Sequence, residues 1–430
     1  MFYNRTSFSI ALLICVGGFV VHADELKLLP PDLSQPETIV RLPGPIEDIE
    51  VGAGGRLLIL HLKSLQQLAV FDVSLAKVVK YIPLPSNDVS YAAGARKLYI
   101  GIRDDQKIRR FDLSNCKEEK STSVPIGGIG RLAIGATSVA PLFLFSERDA
   151  RKSWVIDPAT MKAKPMSWEG WRGGAWGPTD ASVSFDGSTI AVAGGGWAGI
   201  EIASIGKRQV TSSATGSYTR GTPLLAGNGA LVFTGDQKIV RRDLASEVKT
   251  IEGTPFPALD TNYSLALRTY KGESSLTVFT NGDPKRLFEI RDIPELNTKS
   301  RLPLHQRVML IPAAEVLVTV GEGSDHLILR PFDLAESLEQ ADIDYLFVES
   351  SPGPSVVKGR RYEYQINVRS RAGNVKLSLE SGPKKMALSE SGELTWDVPP
   401  SFKNDSVSVI IQITDDSNQT AFHTFRIAVD

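Results

Sequence analysis

Ala69–Pro85, AVFDVSLAKVVKYIPLP, and Ile108–Pro125, IRRFDLSNCKEEKSTSVP, start about forty residues apart and follow one plan. Each ends an apolar run in Phe-Asp-aliphatic, turns, and continues into a second alternating run. The Phe-Asp element recurs as VFDV at Asp72, RFDL at Asp112, VIDP at Asp157, RRDL at Asp243 and PFDL at Asp333. Degenerate copies fill the gaps, IEIA at Glu201 and VFTN at Thr280. The mean step of roughly forty-odd residues is the length of a four-stranded propeller blade. Upstream of most copies lies a Gly-rich or Asn-containing turn and an alternating strand, as in GAGGRLLIL (Gly52–Leu60) and FDGSTIAVAG (Phe185–Gly194). Gly and Asn supply the positive φ that tight hairpins need. A single four-stranded sheet cannot bury both of its faces, whereas seven packed radially can.

The expected fold is therefore all-β, a seven-bladed β-propeller followed by a small Ig/cadherin-like β-sandwich. Its expected divisions are a signal peptide over 1–23, the propeller over 24–340, a linker over 341–358 and the sandwich over 359–430. The recurrent aspartate is read as a scaffold element, a strand-end carboxylate that accepts backbone N–H groups of the next turn. The preceding Phe is read as packing between blades. Thr38–Leu42 resembles the outer strand of the first full unit, Val78–Pro85, and is expected to complete the seventh blade.

The first residues have the form of a secretory signal. A short basic start precedes the apolar run SFSIALLICVGGFVV (Ser7–Val21), and small residues stand at Val21 and Ala23 ahead of Asp24. Removal there predicts a periplasmic or extracellular protein whose one remaining cysteine, Cys116, has no intramolecular partner. No later run has the length of a membrane span. A net charge of −1 offers no polyanion-binding field, so a nucleic-acid role is not expected.

After the Pro/Gly/Ser-containing stretch Glu349–Gly359 the period changes to closely spaced strands. GPKKMALSESGELTWDVP, flanked by YEYQINV and by SVSVIIQITDDSNQTAFHTFRIAVD, resembles the Ig-like or cadherin-like modules of secreted bacterial proteins. The resemblance covers about the last seventy-five residues and implies a β-sandwich with Trp396 in its core. Cadherins hold calcium between domains with carboxylate clusters, which makes Asp415 and Asp416 the candidates here. The paired acidic residues of that family's linker are missing, and solvated turn carboxylates are the simpler reading. The repeated part is similar to the YVTN/WD40-like superfamily in period and strand–Asp–turn pattern, without the Gly-His and Trp-Asp pairs of strict WD40 repeats.

No catalytic residue, cofactor or resident metal is expected. The histidines beyond the signal, His61, His305, His326 and His423, follow no ligand spacing, and there is no nucleophile elbow. Two features mark candidate ligand-binding surfaces. The Gly-rich stretch SWEGWRGGAWGPTD (Ser167–Asp180) holds Trp168, Trp171 and Trp176 with Arg172, and Trp197 follows nearby; such rings stack on sugars, peptides or cations, or pack between blades. Arg131, Arg172, Arg220 and Arg307 fall at similar phase before the inner strand, with Asp48, Asp88 and Asp260 at the comparable phase in the other units. All seven are expected on one rim of the central channel. These features predict an exported, non-enzymatic binding or scaffold protein that takes a protein or glycan partner through its propeller loops. The rivals are a channel-mouth enzyme, either a hydrolase or a cofactor-dependent oxidoreductase, and a structural cell-envelope component.

Overall fold

A computed structural model describes residues 26–124, 128–147, 152–171, 180–193, 199–206, 208–213, 222–244, 246–282, 284–341, 344–350, 352–353, 355–404 and 406–429. The expected signal segment lies outside them. Seven four-stranded antiparallel sheets follow one another along the chain. From the inside outward, blade 1 is Asp48–Gly52, Leu57–Leu62, Gln67–Asp72 and Lys77–Pro83, and blade 2 is Val89–Ala93, Lys97–Ile102, Lys107–Asp112 and Lys117–Ser123. The inner strands of blades 3 to 7 are Arg131–Ala133, Asp180–Val183, Leu224–Leu225, Thr254–Pro257 and Val308–Ile311. The outer strand of blade 7 is Thr38–Arg41, which pairs antiparallel with His326–Leu329 in the register Thr38↔Leu329 and Arg41↔His326. The architecture is a closed seven-bladed β-propeller.

Alternating side chains give each blade two apolar faces, and an apolar core fills each of the seven gaps between neighbours. Leu58 and Phe71 meet Val318 and Leu329 between blades 1 and 7, the joint that closes the ring. Leu57 and Val70 meet Leu98 and Phe111 between blades 1 and 2. Around the ring follow Tyr99 with Leu144, Phe143 with Val192, Ile202 with Val232, Phe233 with Phe279, and Val278 with Leu317. Phe71 and Phe111 thus each pack toward the preceding blade.

The repeated carboxylate acts as a turn clasp. Asp72 accepts from Leu75 N at 3.2 Å, Asp112 from Ser114 N at 2.9 Å, Asp157 from Thr160 N at 2.8 Å and Asp243 from Ser246 N at 3.3 Å. In the degenerate copy the Thr280 hydroxyl takes the same part, accepting from Lys285 N at 3.0 Å. Asp333 accepts from Glu336 N at 2.9 Å and caps a helix, Leu334–Gln340, rather than a fourth strand. Burial pushes the Cys116 thiol up, and Cys116 N donates to Asp112 O in one of these turns at 2.7 Å.

Beyond the helix, one sheet of Ser355–Val356, Thr420–Val429, Ser406–Thr414 and Lys376–Ser381 faces a second of Arg361–Gln365, Glu393–Asp397 and Ala387–Leu388. Their shared core joins Val409, Ile411, Ile413 and Ile427 to Tyr362, Leu394 and Trp396. The segment expected as a linker is in part a docked strap. Leu346–Val348 pairs with Val368–Ser370, Tyr345 enters the core between blades 6 and 7, and Phe347 meets the Tyr263 ring at 5.5 Å. The apolar YLFV run, Tyr345–Val348, lies ahead of the Pro, Gly and Ser residues and has surface to bury.

Asn262 Nδ2 donates to Glu349 O at 3.1 Å, and Lys285 Nζ donates to Asp344 O at 2.6 Å. Both residues follow the end of a first or third strand of blade 6, so the C-terminal module docks on that rim. Residues near the start of the described chain use the same rim: Arg56 Nη1 donates to Lys27 O at 3.0 Å, and Leu28 packs against the closure core. The rim where the inner strands begin is the opposite one.

Candidate functional site at the channel mouth

On that opposite rim the inner strands of blades 1 to 4 enclose a cavity of about 310 Å³. Asp48 and Glu50, two apart on the inner strand of blade 1, share one face, as strand alternation requires. Tyr91 comes from blade 2, Arg131 and Glu147 from blade 3, and Asp180 from blade 4, while Arg103 reaches in from the turn after the second strand of blade 2. Gly130 sits where blade 3 folds back on itself; a Cβ there would stand 2.8 Å from Glu147 N and Phe145 O.

Asp48 Oδ1 accepts from Gln306 Nε2 at 2.6 Å, and the same amide donates to Ile49 O at 3.1 Å. Gln306 lies on the one-turn helix Leu304–Arg307 before the last inner strand, so this bridge joins blades 7 and 1 across the mouth. Arg131 Nη2 stands 3.8 Å from Glu50 Oε1, an ion pair beyond hydrogen-bond length. The Glu50 side chain keeps 29% of its surface open. Burial pushes the carboxyl up to about 8, against the pull of Arg131 and with a push from Asp48. Burial lowers His305 to about 4, with Arg131 adding to the effect, and lowers His61 as well. The His61 and Tyr91 rings meet edge-on at 5.9 Å. Burial raises the Tyr91 hydroxyl well above its ordinary value, with Asp48 and Glu50 adding. Asp48 is a loose hydrogen-bond contact of this hydroxyl, and no group meets Tyr91 Oη at full hydrogen-bond geometry.

A carboxyl that takes up a proton on folding makes stability fall as pH rises. For Glu50 the fall begins near its ordinary value of 4.5 and is complete above about 8. Glu50→Gln removes this dependence. Thermal melts at pH 5 and pH 9 are expected to show the variant gaining on the parent chain at pH 9. An equal difference at both pH values would show that Glu50 ionises freely.

The residues expected on this rim divide. Asp48 and Arg131 begin inner strands and line the cavity. Asp88 stands just before one and anchors Arg103 at 2.5 Å without lining the cavity. Arg307 donates to Glu295 O at 2.8 Å and Thr298 O at 3.0 Å, so it braces the connection from blade 6 to blade 7. Asp260 is a correction: it follows the inner strand Thr254–Pro257 and lies on the rim of the C-terminal module. Burial raises its carboxyl to about 6, Glu349 adds to this, and its Oδ1 accepts from Asn262 N at 2.6 Å. The spacing of the repeat varies by several residues, which is enough to carry a side chain from one rim to the other.

Trp168 is 9% exposed and packs edge-on against Phe143 at 5.6 Å, in the core between blades 3 and 4. Trp171 Nε1 donates to Ser153 Oγ at 3.0 Å beside it. These two rings act as packing. Arg172, Trp176, Trp197 and Arg220 lie outside the described residues. Asp415 accepts from Ser370 Oγ at 2.6 Å, Ser417 N at 3.0 Å and Gln419 N at 3.3 Å, which outweigh burial and hold its carboxyl below the usual range. Asp416 accepts from Asn374 Nδ2. Among the described residues no three His, Cys, Asp or Glu side chains are grouped to hold a metal ion.

Glu50, Tyr91, Arg103, Glu147 and Asp180 were not singled out from the sequence. Glu50 was within reach of it, two residues past Asp48 on the same strand face. Arg103 and Glu147 come from second-to-third-strand turns, which only the closed ring brings to the mouth.

No family model matches the chain, and no curated protein does. Solved structures similar to it include Kuenenia stuttgartiensis hydrazine synthase, at 13% identity and TM-score 0.45, covering 68% of this chain and 96% of that one. Another is the β-propeller domain of Myceliophteria thermophila Cps50 (Swd1), at 12% identity and TM-score 0.46, with 68% and 99% covered. A third is a mitotic checkpoint complex, at 13% identity and TM-score 0.49, with 71% and 98% covered. At such identities the likeness concerns the fold alone, and the architecture rests on the seven sheets and seven inter-blade cores.

Proposed function

We propose that this chain is an exported binding protein whose propeller takes a protein or glycan partner at the rim that carries the cavity. The observation that carries this reading is the convergence of Asp48, Glu50, Arg103, Arg131, Glu147 and Asp180 from four blades on one mouth. A mixed-charge rim of this kind orients a polar partner and selects among partners. The opposite rim carries the C-terminal module at blade 6, and its Ig/cadherin-like sequence fits a spacer or a second contact. The secretory form of Met1–Ala23 supports a periplasmic or extracellular site. A channel-mouth enzyme is the second reading, favoured by the raised Glu50 carboxyl beside Tyr91.

The test is capture of partners from native envelope extract by the parent chain, by Glu147→Arg/Asp180→Arg on the cavity rim, and by Asn115→Arg/Lys162→Glu on turns of the other rim. The cavity-rim pair is expected to lose at least tenfold in the captured partner with melting unchanged, and the other pair to keep it. Equal capture by both would remove the cavity rim from the binding surface.

A further inference from the structure

We propose that the channel-mouth cavity is a pocket for an alkylammonium group, the chemistry shared by a free diamine and a lysine side chain. The proposal rests on the binding reading above and names the chemistry of that site.

The charge balance favours a cation. Among the described residues four carboxyl groups line the cavity, Asp48, Asp180, Glu147 and the largely protonated Glu50, against two guanidinium groups. Arg103 is committed elsewhere: Nη1 pairs with Asp88 at 2.5 Å, and Nε and Nη2 donate to Ile129 O and Gly130 O at 2.6 and 2.7 Å. Asp88 neutralises it from outside the cavity. Arg131 remains, 3.8 Å from Glu50, and offsets one carboxylate. An anionic ligand would meet the uncompensated acids, whereas a cation would relieve their mutual repulsion.

The second observation is independent of charge count. Tyr91 is 5% exposed and lines the cavity, yet no group meets its hydroxyl at full hydrogen-bond geometry. Asp48 acts on that hydroxyl by charge and as a loose hydrogen-bond contact short of full geometry, and the charges of Glu50 and Arg131 act on it too, which places it among them. A buried polar atom without a well-formed bond is costly and rare, and a ligand donor at this point removes the cost.

An ammonium carries three N–H donors and no acceptor. The cavity offers acceptors from three directions: Asp48 and Glu50 on blade 1, Tyr91 on blade 2 and Asp180 on blade 4. Val89 also lines it and supplies apolar surface for an alkyl stem. A volume of about 310 Å³ is at the lower end for ligand pockets and suits one amine with a short chain.

The test is calorimetric titration of the purified full chain with 1,4-diaminobutane, with an end-blocked Gly-Lys-Gly peptide, and with the same peptide carrying acetyl-lysine. At least one amine probe is expected to bind and the acetylated peptide is not. Preference for the diamine assigns the pocket to a free amine, and preference for the peptide assigns it to a partner's lysine. Tyr91→Phe and Glu50→Gln are each expected to weaken binding about tenfold or more. Asp180→Asn, on the open side of the cavity, serves the same purpose should either buried variant fail to fold. Binding draws the proton from Glu50, so affinity is expected to be higher at pH 9 than at pH 6. Failure of both amine probes, or unchanged affinity in the folded variants, overturns the proposal. Partner capture by the cavity rim is read separately, so its survival alongside that failure would remove the ammonium assignment alone.

Discussion

Deleting residues 24–42 is expected to abolish the cooperative melting of the ring. Thr38–Arg41 is the outer strand of blade 7, supplied from the other end of the chain. Without it the His326–Pro331 strand becomes an open edge next to Leu327 and Leu329, both fully buried in the intact chain. The deletion also removes the Glu37–Arg330 ion pair at 2.7 Å and the bond from Leu42 N to Asp325 O at 2.8 Å. An exposed apolar edge invites pairing with a second chain, so size-exclusion chromatography should show aggregates beside a broadened melt. A peptide of residues 35–43 added in excess should restore part of the transition by strand addition. A truncated chain that melts within a few degrees of the full one would show that the closing strand is dispensable.

Glu295→Ala is expected to destabilise the ring by about 3 kcal/mol, the low end of the cost of breaking a buried ion pair, because Arg330 keeps the half-exposed Glu37 as a partner. Glu295 lies on the turn Pro294–Asn297 between blades 6 and 7, with its side chain 4% exposed. Arg330 Nη1 reaches its Oε1 at 2.6 Å, and Thr319 donates to the same oxygen. Burial pushes the Glu295 carboxyl up, but the bonds from Arg330 and Thr319 outweigh it and leave the carboxyl below its ordinary range. A depressed carboxyl contributes stability that is present above its unfolded value of about 4.5 and is lost as pH falls through the folded value. The parent chain should therefore lose stability in acid through this group. Glu295→Leu combined with Arg330→Met removes both charges together. Its urea midpoint is expected to fall much less than that of Glu295→Ala and to lack the acid-sensitive part. Equal midpoints for the single and double variants would show that the ion pair is not what the single change breaks.

The two predictions differ in how far the sequence anticipates them. The closing strand was legible because Thr38–Leu42 repeats the outer-strand pattern of Val78–Pro85, and a repeat preserves pattern across any distance in the chain. The Glu295 network was not legible. Its members sit on a turn, on a second strand and on a third strand, and none belongs to the repeated element.

The same division holds at the channel mouth. Asp48 and Arg131 could be found because each begins an inner strand at a readable phase. Asp260 was misplaced because blade 6 puts its inner strand earlier in the repeat. Trp168 and Trp171 read equally well as ligand contacts or as packing, since an aromatic ring in a Gly-rich stretch satisfies both until its neighbours are known.

By itself the sequence determined the number of blades and the turn role of the strand-end aspartates. These follow from local alternation and turn chemistry, repeated often enough to outweigh noise in any one copy. Only the tertiary structure decided which charges share the mouth, which rim carries the C-terminal module, and that no group meets the Tyr91 hydroxyl at full hydrogen-bond geometry. Those facts depend on distances between residues far apart in the chain, and closure of the ring sets these distances.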